Sequence, residues 1–175
     1  MVIGDWSWGL PMMRVGVGFD MHRLVPGRPL ILGGVRIAFE LGLEGDSDAD
    51  VLTHAILDAL LGATGLGDIG SHFGVGRPEN MGISSLILLE KTVALIRERG
   101  FRPHNVDATV VAETPKIGPF IPAMRTTLAR VLGTTEDRVN VKGTTAKGMG
   151  ALGAGEGIAT FAVASVSQRR VTRKR

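Results

Sequence analysis

The 175-residue chain contains no cysteine. Disulfides, thiolate metal ligands and a cysteine nucleophile are therefore excluded, and any metal site has to use histidine, aspartate or glutamate. The sequence also lacks an apolar run of the roughly 20 residues that a membrane-spanning helix requires, and its start lacks the features of a signal peptide. We therefore expect a soluble protein with no membrane partner, and the lack of cysteine is compatible with a cytoplasmic location.

Outside the C-terminus the positive and negative charges nearly balance. The net charge is +3, but five of the seven residues in 169–175 are basic, so the rest of the chain is slightly acidic. A short basic tail can attract nucleic acid, although a solvated terminus is the commoner case. Because no nucleic-acid motif accompanies the tail, we expect no nucleic-acid partner. Residues 1–12 are expected to be a flexible extension, which leaves 13–168 as one folded domain.

The composition is that of a folded domain with many tight turns. Hydrophobic residues make up 44% of the chain and charged residues 21%, which is enough apolar content for one core at this length. Glycine occurs 25 times, about twice its usual share. Such an excess indicates tight turns or close approach of the backbone to a ligand.

The spacing of apolar residues predicts strands and helices in mixed order. This order favours an α+β fold, in which a mixed β-sheet is covered on one face by helices. The predicted helices begin after Ser47 or Asp48, near Ser84, and at Pro119. The predicted strands cover residues 14–22, 30–39 (a hairpin), 105–113, 138–144 and 157–166.

Three side chains form a candidate metal site. Asp20 and His22 point to the same face of the first predicted strand, and His54 lies on the helix that follows. One carboxylate and two imidazoles can hold a tetrahedral divalent ion and leave one position open. Asp50, one turn before His54, is expected to orient it or to accept a substrate hydroxyl. Spacing alone is weak support, because a lone helical histidine is more often structural.

Longer motifs strengthen this interpretation. They are GFDMH at 18–22, GGVRI at 33–37, DSDADVLTH at 46–54, LGDIG at 66–70, PK at 115–116, VNVK at 139–142, TT at 144–145 and GEGIA at 155–159. In order and spacing these motifs resemble the 2-C-methyl-D-erythritol 2,4-cyclodiphosphate synthase family, and the match covers about residues 14–166.

The resemblance implies a homotrimer with active sites at subunit boundaries. It also implies a lyase that closes 4-diphosphocytidyl-2-C-methyl-D-erythritol 2-phosphate into 2-C-methyl-D-erythritol 2,4-cyclodiphosphate. CMP leaves, and the reaction belongs to non-mevalonate isoprenoid biosynthesis. Because the attacking phosphate is part of the substrate, such an enzyme needs positioned charges and no protein nucleophile.

The resemblance also implies roles for individual residues. Zn²⁺ or another divalent cation would be held by Asp20, His22 and His54. Thr144 and Thr145 would bind the phosphates, with Thr145 stabilising the transition state. The erythritol part would lie at Asp68, Ile69 and Gly70, and the cytidine at residues 112–118 of the adjacent subunit, which include Ala112, Pro115, Lys116, Ile117 and Gly118.

On the expected substrate side, some residues differ from the family pattern. Asp46 stands where the family has a histidine that contacts the diphosphate, and two like charges about 4 Å apart repel by about 4 kcal/mol at an effective dielectric near 20. Residues 74–77 replace an acidic loop. Lys147 replaces a glutamate that helps to hold Mg²⁺ or Mn²⁺ with the substrate, and a charged lysine cannot do so. Two hypotheses stay open: a diverged synthase in which Arg77 and Lys147 supply positive charge, and a zinc-holding trimeric scaffold without cyclase activity.

Overall fold

The computed structural model describes residues 12–74 and 76–168. The predicted basic tail and nearly all of the predicted N-terminal extension lie outside these residues. In the described part the α-helices are Val51–Thr64 (α1), Ile69–Phe73 (α2), Ser85–Glu98 (α3), Ile121–Leu132 (α4) and Gly150–Gly153 (α5). The strands are Met13–Pro26 (β1), Leu30–Leu32 (β2), Val35–Ile37 (β3), Leu41–Leu43 (β4), Phe101–Val111 (β5), Val139–Thr144 (β6) and Gly157–Gln168 (β7).

The main sheet of the described part has five strands in the order β4-β1-β7-β5-β6. Strands β5 and β6 run parallel, whereas the pairs β1–β4, β1–β7 and β5–β7 are antiparallel. The short strands β2 and β3 form a separate hairpin. A mixed sheet with helices confirms the predicted single α+β domain. No helix among the described residues has the length and apolarity needed to cross a membrane.

Helix α1 packs directly on β1, because glycines occupy the contact. A Cβ atom on Gly18 would lie 1.9 Å from the Ala55 carbonyl oxygen, and one on Gly16 would lie 2.1 Å from that of Ala59. Side chains alternate along a strand, so Asp20 follows these glycines on the helix side. The glycine row therefore brings the middle of β1 within reach of side chains on α1.

Gly18→Ala is expected to destabilise the fold by about 3 kcal/mol or more, because the added methyl group meets backbone that cannot move aside. Gly62→Ala on α1 is the matched control. Its added Cβ would come no closer than 3.8 Å to the Val17 oxygen, and alanine favours a helix over glycine by about 1 kcal/mol. Urea unfolding should give opposite signs for the two variants, and equal stabilities would contradict the close contact.

The helix ends follow the predicted capping residues in part. Ser84 caps α3 as predicted, since its hydroxyl accepts a hydrogen bond from Leu86 N–H. Gly65 ends α1 and Gly133 ends α4, both in the left-handed conformation that glycine adopts without strain. The predicted cap of α1 was wrong, because Asp50, and neither Ser47 nor Asp48, occupies the N-cap.

Candidate metal centre and a second cavity

Asp20, His22 and His54, here called the metal triad, converge as the sequence predicted. Asp20 Oδ2 lies 2.9 Å from His22 Nε2 and 3.0 Å from His54 Nδ1. The two histidine nitrogens are 3.3 Å apart. Strand β1 supplies the first two side chains, and helix α1, held close by the glycine row, supplies the third.

These distances fit a divalent cation. Four ligands at 2.0–2.1 Å from a tetrahedral ion have neighbouring donor atoms about 3.3 Å apart, and the triad atoms already lie 2.9–3.3 Å from one another. The three residues also form the cluster of potential metal ligands found among the described residues. Three protein donors leave one tetrahedral position for a further ligand.

Asp20 and His22 each stabilise the charged form of the other. Burial alone would raise the pKa of the Asp20 carboxyl, but hydrogen bonds from His22 and His54 hold it well below its usual value. Burial alone would lower the pKa of His22, but hydrogen bonding and attraction to Asp20 outweigh burial and raise it. Asp20 is therefore a carboxylate at neutral pH, and a metal ion has to compete with a proton for His22.

We predict that metal affinity falls as the pH is lowered, because protons and the metal ion compete for His22. A protonated histidine cannot ligate a metal. Since the pKa of His22 is raised above 6.5, the loss of affinity should begin at a higher pH than for an ordinary histidine. Below that pKa the apparent Zn²⁺ affinity should drop about tenfold per pH unit for one displaced proton. Chelator competition between about pH 8 and pH 5.5 measures this slope, and a constant affinity would contradict the role of His22.

Each imidazole also has a hydrogen-bond partner outside the triad. The Glu44 backbone accepts a hydrogen bond from the His22 ring. His54 Nε2 lies 2.8 Å from Ser85 Oγ and 3.2 Å from Ser47 Oγ. Sequence reasoning missed Ser85, which lies on a different helix, 31 residues from His54.

Asp50 does not act on the triad, and the prediction that it orients His54 or meets a substrate is wrong. Its side chain is fully buried. One carboxylate oxygen accepts hydrogen bonds from the N–H groups of Gly33 and Thr53, and the other from Gly34 N–H and the Thr53 hydroxyl. Asp50 thus ties the β2–β3 turn to the start of α1. Burial raises the pKa of its carboxyl group.

A cavity of about 350 Å³ opens beside the metal triad. Ile69 and Gly70, which the resemblance assigns to the erythritol part of a substrate, line it. Asp68 instead occupies an exposed position at the N-cap of α2, where its carboxylate accepts hydrogen bonds from Ser71 N–H and Oγ. These bonds lower the pKa of Asp68. The α2 segment therefore borders the triad cavity through Ile69 and Gly70, whereas the Asp68 side chain hydrogen-bonds within its own turn.

Asp58 is a cavity residue that the sequence analysis did not select. It follows His54 by one helical turn and lines the same cavity. Its carboxylate accepts a hydrogen bond of 2.8 Å from Ile69 N–H, and burial raises its pKa. The i, i+4 spacing from a candidate ligand was the available signal.

Asp46 also lines the triad cavity, where its carboxylate accepts a hydrogen bond of 2.7 Å from Gly76 N–H. In the same segment, the Arg77 side chain lies against Gly74, close enough that a Cβ there would meet it. Two positions that differ from the family pattern are thus in contact, because residue 46 hydrogen-bonds to the 74–77 segment. The backbone amide partly offsets the charge that Asp46 brings to the cavity.

A second cavity, of about 410 Å³, contains the other predicted residues. We call it the Lys116 cavity, and it shares no lining residue with the triad cavity. Glu113, which falls within the predicted range 112–118, also lines it, and its Oε2 atom is buried without a hydrogen-bond partner in the described part of the chain. The predicted residues that line it are Ala112, Pro115, Lys116, Ile117, Gly118, Thr144 and Thr145.

The two cavities lie at the same end of the sheet but on different strands. The register places Thr144 opposite Val111, Val111 opposite Ala159, and Ala159 opposite Met21. Thr144 is therefore level with the metal triad. Three strand spacings, roughly 14 Å, separate β6 from β1.

Comparison with known proteins identifies the family. The model of the YgbB family matches residues 13–167. The chain belongs to the YgbB family. It is 57% identical over 157 residues to the 2-C-methyl-D-erythritol 2,4-cyclodiphosphate synthase of Symbiobacterium thermophilum, covering 90% of this chain and 100% of that protein. The synthase of Gloeobacter violaceus is 59% identical over 151 residues, covering 86% and 93%.

Solved structures with the same fold agree with this assignment. The bifunctional IspDF of Campylobacter jejuni gives a TM-score of 0.89 at 38% identity, over 94% of this chain and 44% of that chain. A Plasmodium falciparum IspF in complex with CDP gives a TM-score of 0.80 at 32% identity, over 92% and 99%. Family membership thus rests on sequence and structure together.

Proposed function

We propose that the chain closes 4-diphosphocytidyl-2-C-methyl-D-erythritol 2-phosphate into 2-C-methyl-D-erythritol 2,4-cyclodiphosphate and releases CMP. The observation that carries the proposal is the metal triad, whose ligand atoms converge in a chain 52–59% identical to proteins named as this synthase. These relatives favour the enzyme, and they give no support to the alternative of an inactive scaffold.

We assign Zn²⁺ to the metal triad, because one carboxylate oxygen and two imidazole nitrogens are a preferred donor set for that ion. When bound, the ion would supply a positive charge that polarises a phosphoryl oxygen. Asp20 remains ionised because both histidines hydrogen-bond to it. Asp58, Ile69 and Gly70 border the space in which the erythritol part would lie.

The Lys116 cavity would hold the cytidine diphosphate end. The Lys116 ammonium group offers positive charge to the phosphates, and the Thr144 and Thr145 hydroxyls can donate hydrogen bonds to phosphoryl oxygens. In the reaction, an oxygen of the substrate's 2-phosphate bonds to the β-phosphorus. The bond between that phosphorus and the bridging oxygen breaks, and CMP leaves with the bridging oxygen. Thr145 would stabilise the charge that develops at this step.

A second cation would have no protein ligand at position 147. Lys147 lies just after Thr145, and its N–H donates to the Thr145 hydroxyl at 3.3 Å. Its charged side chain cannot ligate Mg²⁺ or Mn²⁺, although it can neutralise phosphate charge directly. Any such ion would therefore arrive with the substrate phosphates rather than on a protein ligand at this position.

We further propose that three copies assemble through the open face of the main sheet. Val15 and Val17 on β1 are 64% and 68% exposed, and Phe19 and Phe161 pair across β1 and β7 with ring centroids 4.6 Å apart. A continuous apolar surface of this kind marks an interaction site. A trimer around this face would let the triad cavity of one copy meet the Lys116 cavity of the next.

The proposed reaction is tested by incubating the purified chain with the cytidylyl substrate and Mg²⁺, and by measuring CMP and bound metal. We expect CMP release with about one Zn²⁺ per chain. Release should stop when a chelator removes the metal, and should return when Zn²⁺ is restored. A chain that holds stoichiometric Zn²⁺ and releases no CMP would contradict the enzymatic proposal and favour the scaffold.

A further inference from the structure

A chain of hydrogen bonds extends from His54 away from the metal triad to a carboxylate. Ser85 Oγ lies 2.8 Å from His54 Nε2 and makes a short hydrogen bond to Asp48 Oδ1. Ser85 is fully buried, and it is the first residue of α3. Three side chains from separate segments are thus connected in the order Asp48, Ser85, His54.

Asp48 is firmly placed at its end of this chain. Its Oδ2 atom accepts a hydrogen bond of 3.0 Å from Ser85 N–H, and its Oδ1 atom accepts one of 3.2 Å from Asp50 N–H. Its own N–H donates to the Ile83 carbonyl oxygen at 3.0 Å. The carboxylate therefore has little freedom to move away from the Ser85 hydroxyl.

The direction of the hydrogen bonds follows from the chemistry of the groups. An ionised carboxylate only accepts, so the Ser85 hydroxyl has to donate its single proton to Asp48. Ser85 Oγ can then only accept from His54, which requires a proton on Nε2. In a neutral imidazole the other nitrogen, Nδ1, carries the lone pair. Nδ1 is the atom that faces Asp20 and His22; without a metal it donates to the Asp20 carboxylate, and a bound ion would take the place of that proton.

Ser47 does not impose the same direction. Its hydroxyl lies 3.2 Å from His54 Nε2, farther than that of Ser85, and it accepts a hydrogen bond from Ala49 N–H. Among the residues that the structure describes, no carboxylate accepts a hydrogen bond from Ser47 Oγ, so the direction of its proton is not fixed. Ser47 is therefore compatible with either tautomer of His54, whereas the bond from Ser85 to Asp48 permits one.

We propose that Asp48 and Ser85 are positioning residues for the metal centre, because they hold His54 in the tautomer that offers Nδ1 to the ion. This inference rests on the proposed metal role of the triad. Partners of this kind behind a metal-bound histidine typically change metal affinity by about 10- to 100-fold when removed. The same contacts also cap α3, so the test has to separate positioning from stability.

Two variants interrupt the chain of bonds in different ways. Ser85→Ala removes the hydroxyl. Asp48→Asn keeps the shape but adds an NH₂ donor, which allows the Ser85 hydroxyl to turn toward His54. Ser84→Ala is the matched control, because it removes the neighbouring hydroxyl that caps α3 through Leu86 N–H and leaves the Asp48 to His54 chain intact. Ser85→Thr restores a hydroxyl at position 85.

Two measurements on full-length protein decide the question. Chelator competition should show Zn²⁺ affinity weakened about 10- to 100-fold in Ser85→Ala and Asp48→Asn, near wild type in Ser84→Ala, and partly recovered in Ser85→Thr. Nitrogen NMR of ¹⁵N-histidine-labelled, metal-free protein should show a proton on His54 Nε2 in the wild type and a partial loss of that proton in Asp48→Asn.

The outcomes separate this inference from the proposed function. Unchanged Zn²⁺ affinity and an unchanged proton on His54 Nε2 in Asp48→Asn would overturn the positioning role, even if the wild type releases CMP. Equal losses of affinity in Ser84→Ala and Ser85→Ala would also overturn it, because helix capping would then explain the effect. A wild-type chain that binds no Zn²⁺ would overturn both the inference and the metal assignment.

Discussion

Asp20→Asn is expected to abolish Zn²⁺ binding at the metal triad and to reduce CMP release by about a thousandfold or more. The substitution keeps the size of the side chain but removes its negative charge. A charge interaction of about 4 kcal/mol, as between unit charges 4 Å apart at an effective dielectric near 20, corresponds to roughly that factor. Metal analysis of the purified variant and a CMP assay measure the two effects.

Asp137→Asn is the control for this substitution. Asp137 is exposed and lies in the 3₁₀ turn Glu136–Arg138, outside both cavities. Its variant should bind Zn²⁺ and release CMP as the wild type does. If Asp20→Asn retained bound metal and most of its rate, the metal triad would not be the reaction centre.

Lys116→Glu is expected to lower kcat/KM for the cytidylyl substrate by about 10²- to 10³-fold, because it replaces an attraction for the diphosphate with a repulsion of similar size. Zn²⁺ affinity should be unchanged, since Lys116 lies in a cavity that shares no lining residue with the metal triad. Kinetics at a fixed Mg²⁺ concentration and chelator competition on the same preparation check both statements.

The matched charge reversal is Lys91→Glu, at an exposed position on α3. It changes the net charge equally but lies outside the two cavities. Wild-type kinetics in this control, together with a loss in Lys116→Glu, would assign the effect to the Lys116 cavity. An equal loss in both variants would mean that overall charge, and no local contact, attracts the substrate.

The metal triad could be predicted from sequence because its geometry is mostly local. Asp20 and His22 alternate along one strand, and the helix that carries His54 has a clear apolar pattern. The remaining requirement, contact between β1 and α1, is signalled by Gly16 and Gly18, which permit the close approach. The resemblance then supplied the pairing of strand and helix that spacing alone could not.

Asp50 shows where sequence reasoning reached its limit. An aspartate one turn before a ligand histidine fits a role behind the metal, and it fits an N-cap equally well. The deciding contacts are the N–H groups of Gly33 and Gly34, which come from a distant hairpin. Ser85 was missed for the same reason, because only the packing of α3 against α1 brings it to His54.

The sequence predicted the short hairpin strands β2 and β3, but three other short elements were not predicted. Strand β4 has three residues, and helices α2 and α5 have five and four. Helices of this length are not stable alone, so their apolar patterns carry little information. Tertiary contacts decide them: β4 pairs with the end of β1, and α2 begins where Asp58 accepts the Ile69 N–H.

The structure shows how two of the residues that differ from the family pattern interact. Asp46 is not an isolated carboxylate, because Gly76 N–H bonds to it within the segment that is itself altered. The repulsion expected between Asp46 and a diphosphate is therefore reduced. This coupling favours a remodelled active site over a site from which function has been lost.

In the proposed trimer, the metal triad of one copy and the Lys116 cavity of another form one active site. Co-expression of Asp20→Asn and Lys116→Glu chains with different tags, followed by purification on both tags, yields trimers that contain both variants. In a ring of three, one site then combines an intact triad with an intact Lys116 cavity, so we predict about a third of wild-type CMP release from two inactive chains. Doubly tagged protein as inactive as each variant alone would contradict the shared site.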